Sequence, residues 1–305
     1  MNLYTHTACL DHDTGAGHPE SPARLRAVLE ALDDPRFASL QRIEAPRATR
    51  EQLLRVHDVA YVDRIFDASP RQGLVHLDPD TGMSPGSLES ALRAAGAACA
   101  AVDAVMTNAL PRAFCAVRPP GHHATRDAAM GFCLFNSVAA GAAHAMEIYG
   151  LGRVAIVDFD VHHGNGTQDI FWNDPRVLYV SSHQMPLYPG TGAENERGAG
   201  NIVNAPLPPD SGSREFRAAW DDTLSAAIDA FRPQLLLISA GFDAHRLDPL
   251  AQLQLETDDY DWITRRLCEL ADRHAQGRVV SSLEGGYDLG ALRESVATHI
   301  AAMMV

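Results

Sequence analysis

Asp158, Asp160 and His162 are spaced two apart at the end of an apolar run, 154–160, within the segment VDFDVHHGNGT. If that run is a strand, residues i, i+2 and i+4 share one face, so three ionisable side chains leave a buried element in one direction. Left unpaired, each carries a heavy desolvation cost, so they need a cation or one another. Asp160 and His162 together with Asp243, from the tip of another apolar run, form an Asp-His-Asp set. Such a set suits a catalytic Zn²⁺, with three protein ligands and open positions for water and substrate. Oxygen and nitrogen ligands without thiolate also suit Fe²⁺, Co²⁺ or Mn²⁺. The alternative is a buried ion-pair network with no metal.

His122 and His123 follow Pro119-Pro120-Gly121, where the prolines restrict the chain and the glycine permits a sharp turn. Two imidazoles beside a metal supply a general base and a charged or orienting partner. Taken alone, they would read as a pair of capping histidines. Tyr287 follows Gly285-Gly286, and its phenol can hydrogen-bond a developing oxyanion. His163 lies on the opposite strand face from His162 and reads as structural, whereas His183 reads as a neighbour of the site. His57, His76, His144, His274 and His299 lack such context and read as surface or core residues. Asp103, Asp127 and Asp229 lie in or beside helical stretches and read as solvated.

Each reactive residue follows a short run rich in Val, Ile and Leu: 113–117, 154–160, 177–181, 235–239 and 279–283. Little alternation is visible in them, as expected for parallel strands buried on both faces. Helical stretches are predicted over 136–149, 167–173, 213–231, 257–275 and 288–303, with starts at Asn136, Thr167, Ser213 and Asp288. The first third reads as mostly helical, over 22–32, 49–68 and 84–108. Strand-then-helix alternation implies a parallel sheet covered on both sides, and ligands bind such sheets at the carboxyl ends of the strands. Five strands thus deliver Asp, His and Tyr to one edge. The segments 184–201 and 205–213, rich in Gly and Pro, read as functional loops. The first of them could close over the site or build a subunit contact, which leaves the oligomeric state open.

The chain of 305 residues, with 46% hydrophobic and 21% charged, is long enough for one large α/β domain, and no linker divides it, so 1–305 reads as a single catalytic domain. Twenty-five basic against 39 acidic residues give −14, which provides no fold-wide basic footprint for nucleic acid and mildly favours cationic substrates. The five cysteines, Cys9, Cys99, Cys115, Cys133 and Cys268, are odd in number and lack CxxC spacing, as in a reducing compartment. With no signal-like start and no apolar run of membrane length, the expectation is a cytoplasmic protein without a membrane partner.

The motifs HDTGAGHPESPARL, RPPGHHA, GFCLFNSVAAGA, VDFDVHHGNGT, YPGTG, LISAGFDAH and LEGGYDL occur in the order found in the histone deacetylase superfamily, which the chain resembles from about residue 3 to 303. HPE-x-P-x-R and HHGNG look like its class II branch and the bacterial histone-deacetylase-like amidohydrolases, with acetylpolyamine amidohydrolases as close cousins. The resemblance implies the arginase/deacetylase fold, a single three-layer α/β domain with an eight-stranded parallel sheet. It also implies zinc-dependent hydrolysis of an acetylated amine, such as an acetyl-lysine peptide or an acetylpolyamine, with one Zn²⁺ per chain.

By that resemblance Asp160, His162 and Asp243 match the zinc ligands and His123 the general base and acid. His122, paired with Asp158, matches its electrostatic partner. Tyr287 matches the phenol that polarises the acetyl carbonyl. Gly131 and Phe132 match one wall of the acyl tunnel, with Tyr188 facing them. Asp158, Asp160, His162, Ser181 and Ser182 match a structural K⁺ site, partly through carbonyl oxygens. Three positions depart from common patterns. Asn165 stands where class I members carry an aspartate, which should alter the pKa of His123. Tyr188 stands where Phe is common. Leu250 stands where polyamine-specific relatives carry a gatekeeping glutamate, although Asp78, Asp80 or a partner subunit could supply a charged gate.

Two other readings compete. An arginase-like pair of Mn²⁺ ions needs further bridging carboxylates, but Gly164 and His245 occupy the next same-face positions. A catalytically silent module binding an acyl ligand would retain the pocket without turnover.

Overall fold

The computed structural model describes residues 1–107 and 110–305. Among the described residues there are ten strands: β1 (Asn2–Thr5), β2 (Gln41–Glu44), β3 (Val75–His76), β4 (Gly82–Met83), β5 (Arg112–Cys115), β6 (Val154–Asp158), β7 (Val177–Gln184), β8 (Ile202–Leu207), β9 (Leu235–Ala240) and β10 (Val279–Leu283). Eight of them form one sheet in the order β2-β1-β5-β10-β9-β6-β7-β8. Every pairing in that sheet is parallel. The antiparallel hairpin β3–β4 stands apart from it.

All residues of β5, β6, β7, β9 and β10 are buried, so the sheet is covered on both faces. The helices are α1 (Pro22–Ala31), α2 (Arg50–Leu54), α3 (Val59–Ala68), α4 (Ser87–Thr107), α5 (Ser137–Tyr149), α6 (Asn165–Phe171), α7 (Ser213–Ala219), α8 (Ser225–Phe231), α9 (Thr257–His274) and α10 (Leu289–Met303). α4 packs on α5, while α1 and α9 pack on α10. The result is a single-domain α/β architecture in which a large apolar core runs through the sheet and its helices, and a second, smaller apolar cluster gathers residues of α2, α3 and α4.

Helix starts follow the expected chemistry. Asn136 Oδ1 accepts the Ala139 N–H at 3.0 Å and Asp288 Oδ1 the Ala291 N–H at 2.8 Å, each satisfying a free amide of the first turn. α6 begins at Asn165, two residues before the expected Thr167.

Four expectations need correction. The first third also contains β1 and β2, which lie at one side of the sheet, β2 at its edge. The helix expected over 49–68 is two helices, α2 and α3. Pro206, assigned to a loop, lies in β8, an edge strand where a missing N–H is tolerated. The expected helix 213–231 is continuous but relaxes into a π turn at Trp220–Leu224. The expected end of the helix at 108 lies outside the described residues. No helix among the described residues is long and apolar enough to cross a membrane.

Candidate active site

The carboxyl ends of β5, β6, β7, β9 and β10 meet at one edge of the sheet. β6 stops at Asp158, so Asp160 and His162 are not strand residues as the two-residue spacing suggested. Side chains have replaced the ladder: Asp158 Oδ1 accepts the Asp160 N–H at 3.2 Å, and Asp160 Oδ1 accepts the His162 N–H at 2.9 Å. From the tip of β9, Asp243 Oδ1 accepts the Val161 N–H at 2.9 Å and ties the two turns together.

The turns bring ligand atoms of Asp160, His162 and Asp243 within 4.8 Å of one another, in the one group of three so arranged among the described residues. His162 Nδ1 lies 3.0 Å from Asp160 Oδ1 and 3.1 Å from Asp243 Oδ2. All three residues are buried. Two carboxylates face one imidazole, and a single ring proton cannot serve both, so the cluster is short of positive charge and its donor set fits a divalent cation. Burial and the Asp160 charge push the Asp243 carboxyl up, another sign of that deficit. Gly285 donates its N–H to Asp160 Oδ2 at 2.8 Å, and a Cβ at 285 would lie 2.0 Å from Asp243 Oδ2. Only glycine fits there.

The two histidines of the Arg118–Ala124 segment are pushed in opposite directions. His122 Nδ1 lies 2.9 Å from Asp158 Oδ2, which also accepts the Tyr179 hydroxyl at 3.1 Å. Burial works against charging His122, but Asp158 and Asp160 outweigh it and hold the ring well above its ordinary pKa. Burial and the neighbouring His122 and His162 rings hold His123 well below it. His123 Nδ1 lies 2.8 Å from Asn165 Oδ1, an acceptor, so this nitrogen carries the proton and Nε2 keeps its lone pair.

The expected walls lie around this centre. The Tyr188 ring meets the His123 ring edge-on at 5.2 Å between centroids, and Phe132 meets Tyr287 at 6.0 Å. Gly131 adopts φ +55°, and a Cβ there would lie 2.4 Å from His123 Cδ2, so the wall glycine also makes room for the histidine. Beside Phe132 stands the β3–β4 hairpin: Thr81 Oγ1 accepts the Phe132 N–H at 3.0 Å. Asp78 in that hairpin turns its carboxylate inward onto the N–H groups of Asp80 and Thr81. Leu250 is half-buried in the segment after β9 and donates its N–H to Asp248 Oδ1 at 3.0 Å.

Asp158 and Ser181 are register partners across β6 and β7, and Ser182 follows. Their side-chain oxygens already have partners: Ser181 Oγ pairs with His183 Nδ1 at 2.9 Å and Ser182 Oγ accepts from Trp220 Nε1 at 3.1 Å. His163 bonds Thr191 Oγ1 and Gln168 Oε1. Asp103, expected to be solvated, accepts from His144 Nε2 at 2.7 Å and Tyr149 OH at 2.9 Å.

Sequence reasoning missed several residues that support this edge. Glu20 is fully buried against Arg24, Arg118 and His12. Arg24 in turn donates from Nε to the Gly286 carbonyl at 2.6 Å and lies over the Tyr287 ring, 4.8 Å from its centroid. Glu284 accepts the N–H groups of Gly121 and His122 at 2.6 and 3.2 Å, fixing the turn that carries both histidines. Asp248 accepts the Tyr287 N–H at 2.7 Å. A signal existed for Glu20 and Arg24 in HPE-x-P-x-R, and for Glu284 at a strand tip, but nothing in the sequence paired them.

Residues 18–303 match the histone deacetylase domain family. The chain is 43% identical to the histone deacetylase-like amidohydrolase of Pseudomonas aeruginosa, over 89% of this chain and 73% of that protein. It is 40% identical to a probable deacetylase of Archaeoglobus fulgidus, over 98% of this chain and 84% of the relative. Among solved structures, the HD domain of HDA15 superimposes with a TM-score of 0.93 at 34% identity, covering 100% of this chain and 91% of that one. With sequence, fold and the arrangement of strand tips in agreement over nearly its whole length, the chain belongs to the histone deacetylase family.

Proposed function

We propose that residues 1–305 act as one catalytic unit, a zinc-dependent deacetylase that hydrolyses the acetyl amide of acetyl-lysine or a related acetylated amine. As a member of its family the chain is a hydrolase of amide bonds. The observation that carries the finer reading is the buried Asp160-His162-Asp243 cluster beside a histidine held neutral. Asp160, His162 and Asp243 would hold the ion. Bound zinc supplies Lewis acidity, which polarises an amide carbonyl and makes water more acidic.

The remaining roles fall to the chain's own side chains. Phe132 and Tyr188 flank the apolar stem of the substrate, with Gly131 completing the wall. His123 Nε2 takes the proton of the attacking water as its oxygen bonds to the acetyl carbon. The Tyr287 hydroxyl donates to the carbonyl oxygen as that oxygen becomes negative. His122, kept charged by Asp158, favours the same negative charge. His123 then gives its proton to the nitrogen as the C–N bond breaks, and the products are a free amine and acetate. A K⁺ at Asp158, Asp160, His162, Ser181 and Ser182 belongs to the same reading. With the serine hydroxyls engaged, it would draw on backbone carbonyl oxygens.

The test is turnover of an acetyl-lysine peptide and of an acetylated polyamine by metal-quantified protein, before and after chelation. Activity should be lost on chelation and return with Zn²⁺, and the ratio of kcat/KM values names the substrate class. Tyr287→Phe should lower kcat by about 10²–10³, the cost of losing an oxyanion donor. Tight binding of an acetylated ligand with no turnover by the zinc-loaded protein would instead favour a silent binding module.

A further inference from the structure

Asp248 lies in the segment after β9 and is buried, at 8% exposure. Its partners are backbone amides. Oδ2 accepts the N–H of Tyr287 at 2.7 Å and, more weakly, that of Asp288 at 3.4 Å. Oδ1 accepts the N–H of Leu250 at 3.0 Å. Burial and the Asp243 charge push this carboxyl up to about 7, while the three amides pull it down. A buried carboxylate held by amides is an expensive arrangement, and the chain must gain something from it.

What it gains follows from valence. An asparagine has one acceptor oxygen, and its amide nitrogen would point a donor at a second donor. An alanine would leave two or three N–H groups without partners. Only a carboxylate at this distance accepts on both sides at once. One side is the residue that carries the phenol, and the other is Leu250.

Other contacts also frame Tyr287, among them the Phe132 ring, edge-on at 6.0 Å between centroids. The Tyr287 ring lies beneath the Arg24 guanidinium, and Arg24 also bonds the Gly286 carbonyl. Gly286, immediately before it, is at φ +124°, in backbone space open to glycine. The residue immediately after it, Asp288, is the cap of α10. Asp248 is the side chain that grips the backbone N–H at 287, from which the phenol departs.

We propose that Asp248 is a positioning residue for Tyr287, one carboxylate that locks the phenol-bearing backbone to the segment carrying Leu250. The inference rests on the reading of Tyr287 as the donor to the oxyanion. It places Asp248 outside direct contact with substrate, acting through another residue's geometry. A phenol misplaced by about 1 Å loses most of its effect on an oxyanion, because such a bond is worth most when it is already aimed.

The experiment is a double-mutant cycle on zinc-quantified protein using an acetyl-lysine peptide. Asp248→Asn should lower kcat by about tenfold or more, with KM within about twofold and zinc content unchanged. In the Tyr287→Phe background, Asp248→Asn should change kcat by less than about twofold, since the group it positions is already gone. A purely structural role would lower kcat by the same factor in both backgrounds, and that result overturns the proposal. So does normal kcat in folded Asp248→Asn protein. Normal turnover by Tyr287→Phe alone overturns the underlying reading instead, and it is seen in the single variant before the cycle is closed. If Asp248→Asn does not fold, Asp248→Glu, which keeps both acceptor oxygens on a longer stem, enters the same cycle with the same expected non-additivity.

Discussion

Two buried clusters of ionisable side chains sit at the same edge of the sheet, and they are built on opposite charge balances. Around Glu20, two guanidiniums and an imidazole surround one carboxylate, and the donors left over reach backbone carbonyls: Arg118 bonds those of Cys9 and His12, and Arg24 those of Gly286 and Glu284. In the Asp160-His162-Asp243 cluster, two carboxylates share one imidazole, and carboxylate oxygens crowd a glycine with no room for a Cβ. In the first cluster the carboxylate finds its countercharges within the protein. In the second the carboxylates do not, and the donor set fits a divalent cation. A buried charge cluster alone is therefore weak evidence for a metal, whereas one left with an excess of facing carboxylates is strong evidence.

The largest expected effect breaks the second cluster. Asp243→Asn should lower kcat/KM by about 10³ or more, an effect above about 4 kcal/mol. Yet in chelator the variant should be at least as stable as the metal-free parent, because it removes one of two facing carboxylates. Urea unfolding in chelator checks this, and a metal-free variant that is clearly less stable would show the cluster to be self-compensated after all.

Breaking the first cluster should do the reverse. Glu20→Gln strands two buried guanidiniums and should cost about 3–5 kcal/mol of stability with or without zinc. A loss below about 1 kcal/mol would place the worth of this network elsewhere.

The smallest effect concerns buried groups that carry no charge. His57 accepts the Asn136 N–H at Nε2 and bonds the Thr125 carbonyl through Nδ1, so protonation would set one donor against another. Burial lowers its pKa from the usual 6.5 to about 4. The unfolded chain then binds more protons than the native state between those values, and stability rises with pH. The contribution is complete above about 6.5 and is lost as pH falls towards about 4, a change on the order of 3 kcal/mol. His57→Gln should remove that part of the pH dependence. Equal slopes for parent and variant in urea unfolding between about pH 7 and 4.5 would show that His57 takes up its proton without resistance.

The five strands legible in the sequence, β5, β6, β7, β9 and β10, are five adjacent strands of the sheet. Burial on both faces makes their sequences uniformly apolar, so the interior wrote itself into composition. β1, β2 and β8 were not visible. They lie towards the sheet's edges, β2 is largely exposed, and β8 alternates and contains Pro206. Edge strands carry no such compositional mark because only part of their surface meets the core.

The same division runs through the site. Residue types and spacing alone picked out Asp160, His162, Asp243, His122, His123 and Tyr287, because ionisable groups are seldom buried together at strand tips without a chemical task. The geometry that spacing suggested was wrong in detail, since β6 ends at Asp158 and side-chain hydrogen bonds shape the turn that follows. What only the tertiary structure decided is which groups answer which. Glu20 meets Arg118, Glu284 meets Gly121, and Asp248 meets Tyr287 across long stretches of chain. A sequence records the residue that a buried charge requires, but its partner is chosen by folding, where desolvation leaves each donor only the acceptors that the packed core brings within reach.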